Sequence, residues 1–166
     1  MPAHHTAAYW KAKLDMLSHP EGGCYKEIYR SPMLLPQRVL TPEHNGDRNA
    51  MTSIYFMLEQ GEKSALHRIA SDELWHHYDG DTLEVYEITA GGVLTTHLLG
   101  KDNGAAPFVL IQAGSWFGSR VAAGGTFTLC GCTVAPGFDF ADFEMADAAT
   151  LSGIYPQHEA LISEMC

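Results

Sequence analysis

The sequence predicts an all-β domain, a sandwich or jelly-roll barrel with a short helix at each end. Two observations carry this. Between residues 51 and 134 the chain is a series of short runs rich in β-branched and aromatic residues. Turn signals separate these runs at close intervals, at 60–61, 79–81, 91–92, 102–104 and 124–125. Strand-rich chains of this size fold as sandwiches, barrels or jelly rolls.

Taken in order, residues 6–17 predict a helix: Thr6 can cap it, and Trp10, Leu14 and Leu17 share one face. His19-Pro20-Glu21-Gly22-Gly23 is a turn. The aromatic and β-branched run 24–30 predicts a strand, with Tyr25, Glu27 and Tyr29 on one face and Cys24, Lys26, Ile28 and Arg30 on the other. Residues 31–50 carry Pro32, Pro36 and Pro42 and predict a long loop with one extended piece at 37–40, serving as a lid, an interface arm or a mobile surface loop. Strands follow at 53–58, 64–69, 73–78, 83–88, 93–99, 108–112, 116–119 and 126–134. Residues 155–165 predict a helix whose Leu161, Ile162 and Met165 cover an apolar surface. No repeat or linker divides the chain, so 1–166 is expected to be a single domain.

Composition excludes several function classes. The net charge of −10 argues against binding to nucleic acid or an anionic membrane. No segment is long and apolar enough to cross a membrane, and no secretion signal is read at the N-terminus. The four cysteines, Cys24, Cys130, Cys132 and Cys166, include no CxxC pair; reduced thiols in the cytoplasm are expected.

The chemistry is expected at His67 and Glu73. An ionised carboxylate inside a barrel costs several kcal/mol unless it is paired, so Glu73 needs a proton or a partner. The candidates are a metal ion, a protonated His, Arg30, Arg68 or Arg120. Strand alternation puts Trp75 and His77 on the face of Glu73, with His76 opposite unless a bulge intervenes. Trp116 and Phe117, set between Gly114 and Gly118, are candidates for an aromatic ligand wall. Cys130 and Cys132 share a face and pack as small hydrophobes. Asp139, Asp142 and Glu144 are expected to decorate turns, since their spacing is not that of a calcium loop.

Residues 61–80 place Gly61, His67, Glu73 and Gly80 on the pattern G-x5-H-x-H-x3-E-x6-G, with Ile69 at the second His. This resembles the first motif of the cupin superfamily. The second motif matches poorly: Gly114 fits, but Gln112, Phe117 and Val121 stand where that motif has Pro, His and Asn. Over nearly its whole length the chain is similar to the cupin type 5 subfamily, a domain of unknown function. The matching stretches are 19–31, 67–84, 114–119 and 131–144. The resemblance implies a double-stranded β-helix, a jelly-roll barrel with one open end, and a homodimer paired through sheet edges. More distantly the chain resembles the dTDP-sugar 3,5-epimerases, which work without a metal. That likeness implies His67 as a base, with Tyr25, Tyr29, Tyr55 and Tyr78 all open as the acid.

Two of the four usual metal ligands are therefore apolar, and three protein ligands are the norm at catalytic zinc. Three functions stay open. One is a metal-free pocket for a small polar organic ligand such as a sugar nucleotide, with isomerase or epimerase activity. Another is a dioxygenase or isomerase with one divalent metal on His67, Glu73 and His77. The third is a binding or storage module. In the first, His67 and Glu73 are catalytic and face the cavity near Trp116 and His77, while Trp75, Phe117, Tyr25, Arg30, Cys130 and Cys132 contact ligand.

Overall fold

Alternating side chains and turn glycines divide the chain into the elements seen in a computed structural model, which describes residues 5–102 and 104–166. Residues 1–4, the start of the segment in which no secretion signal is read, and Asn103 of the expected 102–104 turn lie outside the described residues. The order is α1 (Ala7–Leu14), β1 (Leu17–Ser18), β2 (Cys24–Arg30), β3 (Leu34–Leu35), a 3-10 turn (Gln37–Val39), β4 (Arg48–Asn49) and β5 (Thr52–Glu59). Then come β6 (Lys63–Arg68), β7 (Asp72–Gly80), β8 (Leu83–Ile88), β9 (Leu94–Leu99), β10 (Phe108–Ile111), β11 (Trp116–Val121) and β12 (Phe127–Ala135). A second 3-10 turn (Phe140–Asp142), β13 (Glu144–Met145), α2 (Ala148–Ile154), a third 3-10 turn (Pro156–His158) and α3 (Glu159–Met165) complete the chain.

The strands form two antiparallel sheets, ordered β1-β2-β5-β12-β7-β10 and β13-β6-β11-β8-β9, beside a small β3–β4 ladder. This is a jelly roll. As expected, the jelly roll is made of two opposed sheets, which among the described residues do not join into one continuous sheet. Ile54, Phe56 and Leu58 of β5 and Trp75 of β7 turn into the space between them and meet Val85, Phe117 and Cys130. Truncating a fully buried Phe56 or Trp75 to Ala would cost about 3–5 kcal/mol. The outer faces are covered by the helices. Trp10 and Leu14 of α1 lie on Met57 and Leu129. Leu151 of α2 and Ile162 and Met165 of α3 lie on Leu66, Tyr86 and Trp116.

Several expectations change. The first helix ends at Leu14, so Leu17 is exposed in β1 rather than on the helical face. Thr6 does cap it, its Oγ1 accepting from Tyr9 N–H at 3.2 Å. The helix expected at 155–165 is a 3-10 turn followed by α3, and α2 precedes it as a further helix, capped where Asp147 accepts from Thr150 N–H at 2.9 Å. Residues 37–40 make a 3-10 turn, not an extended piece.

The Pro-rich loop is anchored rather than loose. Arg48 donates to Asp142 through Nε at 2.6 Å and Nη2 at 2.5 Å, with both side chains about 95% buried. His44, also buried, bridges Ser71 Oγ and Thr41 Oγ1, each at 2.9 Å.

Candidate functional site

The loop 19–23 is folded inward onto the sheets. His19 N–H donates to Gly23 O at 3.0 Å, and Ala65 N–H of β6 donates to Glu21 O at 2.8 Å. Gly22 has φ +115°, and a Cβ there would sit 2.0 Å from Lys63 O. No other residue type fits, so glycine is what allows the loop to press against β6 and insert Glu21.

On β6 the register against β11 shifts between Phe117 and Ser119. Gly118 faces this bulge, where a Cβ would come within 2.7 Å of Ser64 O. The bulge frees the Ala65 groups from the ladder. Its N–H goes to Glu21, and its carbonyl accepts from His67 Nδ1 at 2.7 Å.

His67 therefore has an acceptor on each nitrogen. Nε2 lies 3.0 Å from Glu21 Oε2, while Ser64 Oγ donates to Glu21 Oε1 at 2.9 Å. Burial pulls the imidazole pKa down, but the Glu21 charge and hydrogen bond outweigh it and the net shift is up. Burial pushes Glu21 up, and the charge of His67 overcomes it to leave Glu21 lowered. The two are thus an imidazolium–carboxylate pair. His19 beside them is held neutral by burial and takes Glu21 N–H on its Nδ1 at 3.2 Å.

Glu73, on β7, is only 8% exposed and has no nitrogen or oxygen donor among the described residues. Burial, then the charge of Glu21, raises its pKa to about 7; His67 and the Cys132 thiol oppose this incompletely. Burial also drives the Cys132 thiol well above its usual range, so it is present as the thiol.

These groups floor a cavity of about 280 Å³. Its walls are Tyr25, Glu27 and Arg30 of β2, Ile54 and Phe56 of β5, Cys132 and Val134 of β12, and Ile69. Phe138, Asp139 and Phe140 close one side of the mouth. Phe138 N–H donates to Thr52 Oγ1 at 2.9 Å, which fixes this segment on β5.

Of the residues named from sequence, His67, Glu73, Tyr25, Arg30 and Cys132 face this cavity; Trp75, His77, Trp116, Phe117 and Cys130 do not. Trp116 points to the opposite face of its sheet, under α3, with the Arg68 guanidinium 4.6 Å from its ring centre. Phe117 packs behind the site, 4.2 Å from the His67 ring. Trp75 fills the core against Phe56 and Phe117. It separates Glu73 from His77, whose Nε2 meets Asp81 O at 3.1 Å. Cys130 is core and contacts Phe56 O at 3.5 Å. His76 turns outward against Phe108. Arg30 joins Tyr25 and Glu27 because Ile28 is bulged: the register with β5 shifts between Glu27 and Tyr29. Strict alternation put Arg30 on the wrong face.

Glu21 was not singled out from sequence. Its one signal was a charged residue packed between Pro20 and two glycines, where a plain turn needs none. Asp139, Asp142 and Glu144 serve as a turn cap and as partners of Arg48 and Arg68.

Among the described residues no group of three or more His, Cys, Asp or Glu side chains is arranged to hold a metal ion. The nitrogens of His67 are committed, Ile69 and Phe117 are apolar, and His77 lies behind Trp75.

A family model described as the cupin superfamily (DUF985) matches residues 8–146. A hypothetical protein from Leishmania major is 36% identical, with TM-score 0.90 over 98% of this chain and 99% of that one. A Shewanella oneidensis protein of known crystal structure is 37% identical, with TM-score 0.84 over 97% of each chain. The oxalate decarboxylase of Bacillus subtilis shares the fold alone, at 14% identity and TM-score 0.53 over 90% of this chain and 36% of that one. Among curated proteins none matches.

Proposed function

Because the chain belongs to the cupin superfamily (DUF985), we propose that its cavity binds a small polar organic molecule and moves a proton on it, with Glu73 as the metal-free acid–base group. The observation that carries this is a buried carboxyl, facing an open cavity, with no nitrogen or oxygen donor among the described residues and a pKa raised to about 7. A general acid or base works best when its pKa is near the working pH.

This reverses the roles expected from sequence. His67 already holds protons on both nitrogens through Ala65 and Glu21, which disfavours it as a base. It instead supplies a fixed positive charge beside Glu73. Isomerisation or epimerisation next to a carbonyl is the reaction class these parts favour, with Tyr25 as the tyrosine on the cavity wall. The cavity lies at the small end for ligand pockets, which supports a monosaccharide-sized ligand over a whole sugar nucleotide. We further propose a homodimer, and the four free thiols favour a reducing, cytoplasmic setting.

The test is proton exchange. Small keto sugars and hydroxyketones are incubated with untagged, chelator-treated protein in D2O and followed by proton NMR. Wild type should exchange a carbon-bound proton of at least one of them, and Glu73→Gln should not. Exchange that survives Glu73→Gln, or that requires added divalent metal, would sink the proposal.

A further inference from the structure

We infer that the cavity selects a ligand bearing an organic ammonium group, seated at the aromatic mouth, and rejects anions. This deepens the reading of the same site and rests on it. Four carboxyl groups line the cavity, those of Glu21, Glu27, Glu73 and Asp139, against two cations, His67 and Arg30; pairing of Glu21 with His67 and of Glu27 with Arg30 leaves Asp139 and the titratable Glu73 without a matching cation. Both cations are already spent. His67 is held by Glu21. Arg30 grips Glu27 through Nε at 3.0 Å and Nη2 at 2.8 Å, while its Nη1 donates to Asn49 Oδ1 and Phe138 O at 3.0 and 3.2 Å. A guanidinium so occupied has little left for a phosphate or carboxylate. Asp139 adds its charge at the mouth, where among the described residues its side chain accepts only from Ala141 N–H, at 2.8 Å.

The walls suit a cation as well as the charges do. Phe138 and Phe140 meet edge to face, centroids 5.0 Å apart, and Tyr25 stands on β2 at the same cavity. Ring faces beside carboxylates attract alkylated ammonium groups. The net charge of −10 draws cations toward the protein and repels anions over longer range. An ammonium at the mouth leaves the polar end of the ligand to reach the Glu73 carboxyl, which has no N–H or O–H donor among the described residues.

Untagged protein is titrated by calorimetry and by amide NMR shifts with choline, its uncharged isostere 3,3-dimethylbutanol, oxalate and pyrophosphate. Choline should bind about tenfold more tightly than the isostere. The anions should be weakest. Asp139→Asn and Phe140→Ala, at exposed positions, should each reduce the choline preference. Glu27→Gln, which releases Arg30, should raise oxalate affinity. Equal or tighter binding of the isostere or the anions, no choline binding, or a preference unmoved by these variants would overturn the inference. The outcomes separate the two proposals. Choline preference without proton exchange keeps this inference and removes acid–base chemistry; exchange on an anionic ligand does the reverse.

Discussion

The imidazole of His67 and the carboxylate of Glu21 form a buried ion pair, Nε2 to Oε2 3.0 Å, joining a strand to a loop more than forty positions away in the chain. Both side chains are under a tenth exposed. The pair stands beside Glu73, and its two charges push that carboxyl in opposite directions, Glu21 more strongly.

Removing one partner strands the other. His67→Ala should destabilise the protein by about 3–5 kcal/mol, because Glu21 is left charged and buried. Replacing both, as Glu21→Met with His67→Leu, should recover most of that loss. Urea unfolding of the three variants measures both effects. A His67→Ala cost below about 1 kcal/mol would contradict an ionised pair.

The pH dependence of stability reports on Glu73. Its folded pKa, about 7, lies above the ordinary carboxyl value of 4.5. Its contribution is therefore complete below pH 4.5 and is lost as pH rises through 7. A shift of this size corresponds to about 3 kcal/mol. Relative to wild type, Glu73→Gln should thus gain stability between pH 4.5 and 8, seen as a Tm difference growing by roughly 5–10 °C. A difference that stays flat over that range would mean that Glu73 ionises normally.

Arg48→Met should detach the Pro-rich loop. Asp142 would lose both guanidinium bonds in a site about 95% buried, at a cost of about 3 kcal/mol or more. Thermolysin should then cut within residues 31–50 faster than in wild type. Unchanged cleavage would show that His44 and Ser71 suffice to hold the loop.

A homodimer is expected across β2, because among the described residues its outer edge is paired only at Cys24 and Tyr25. Ile28, Met33, Leu34 and Val39 lie exposed along β2 and the following loop. Sedimentation should give a dimer at micromolar concentration, and Ile28→Lys with Leu34→Asp should give a monomer. Wild type sedimenting as a monomer would reject this interface.

The strands were legible because they obey local rules. Residues 24–30 and 83–88 match β2 and β8 end to end, since alternation and turn glycines bound them. The site was legible in part: His67 and Glu73 stand out by their spacing. What could not be read was set by departures from alternation and by contacts distant in sequence. The Ile28 bulge moved Arg30 across the sheet. Trp116 and Phe117 are neighbours on opposite faces, and nothing in the sequence says which one faces the core. Glu21 reaches His67 only because Gly22 lies against Lys63 O.

Glu73 is expected to keep a titratable proton at neutral pH inside the cavity. Carbon-13 NMR titration of the glutamate carboxyls in untagged, metal-free protein, assigned with Glu73→Gln, measures this directly. The expected midpoint for Glu73 is about 7, with Glu21 titrating below its ordinary value. A Glu73 midpoint near 4.5 would contradict it, because the cavity would then hold a permanently charged carboxylate.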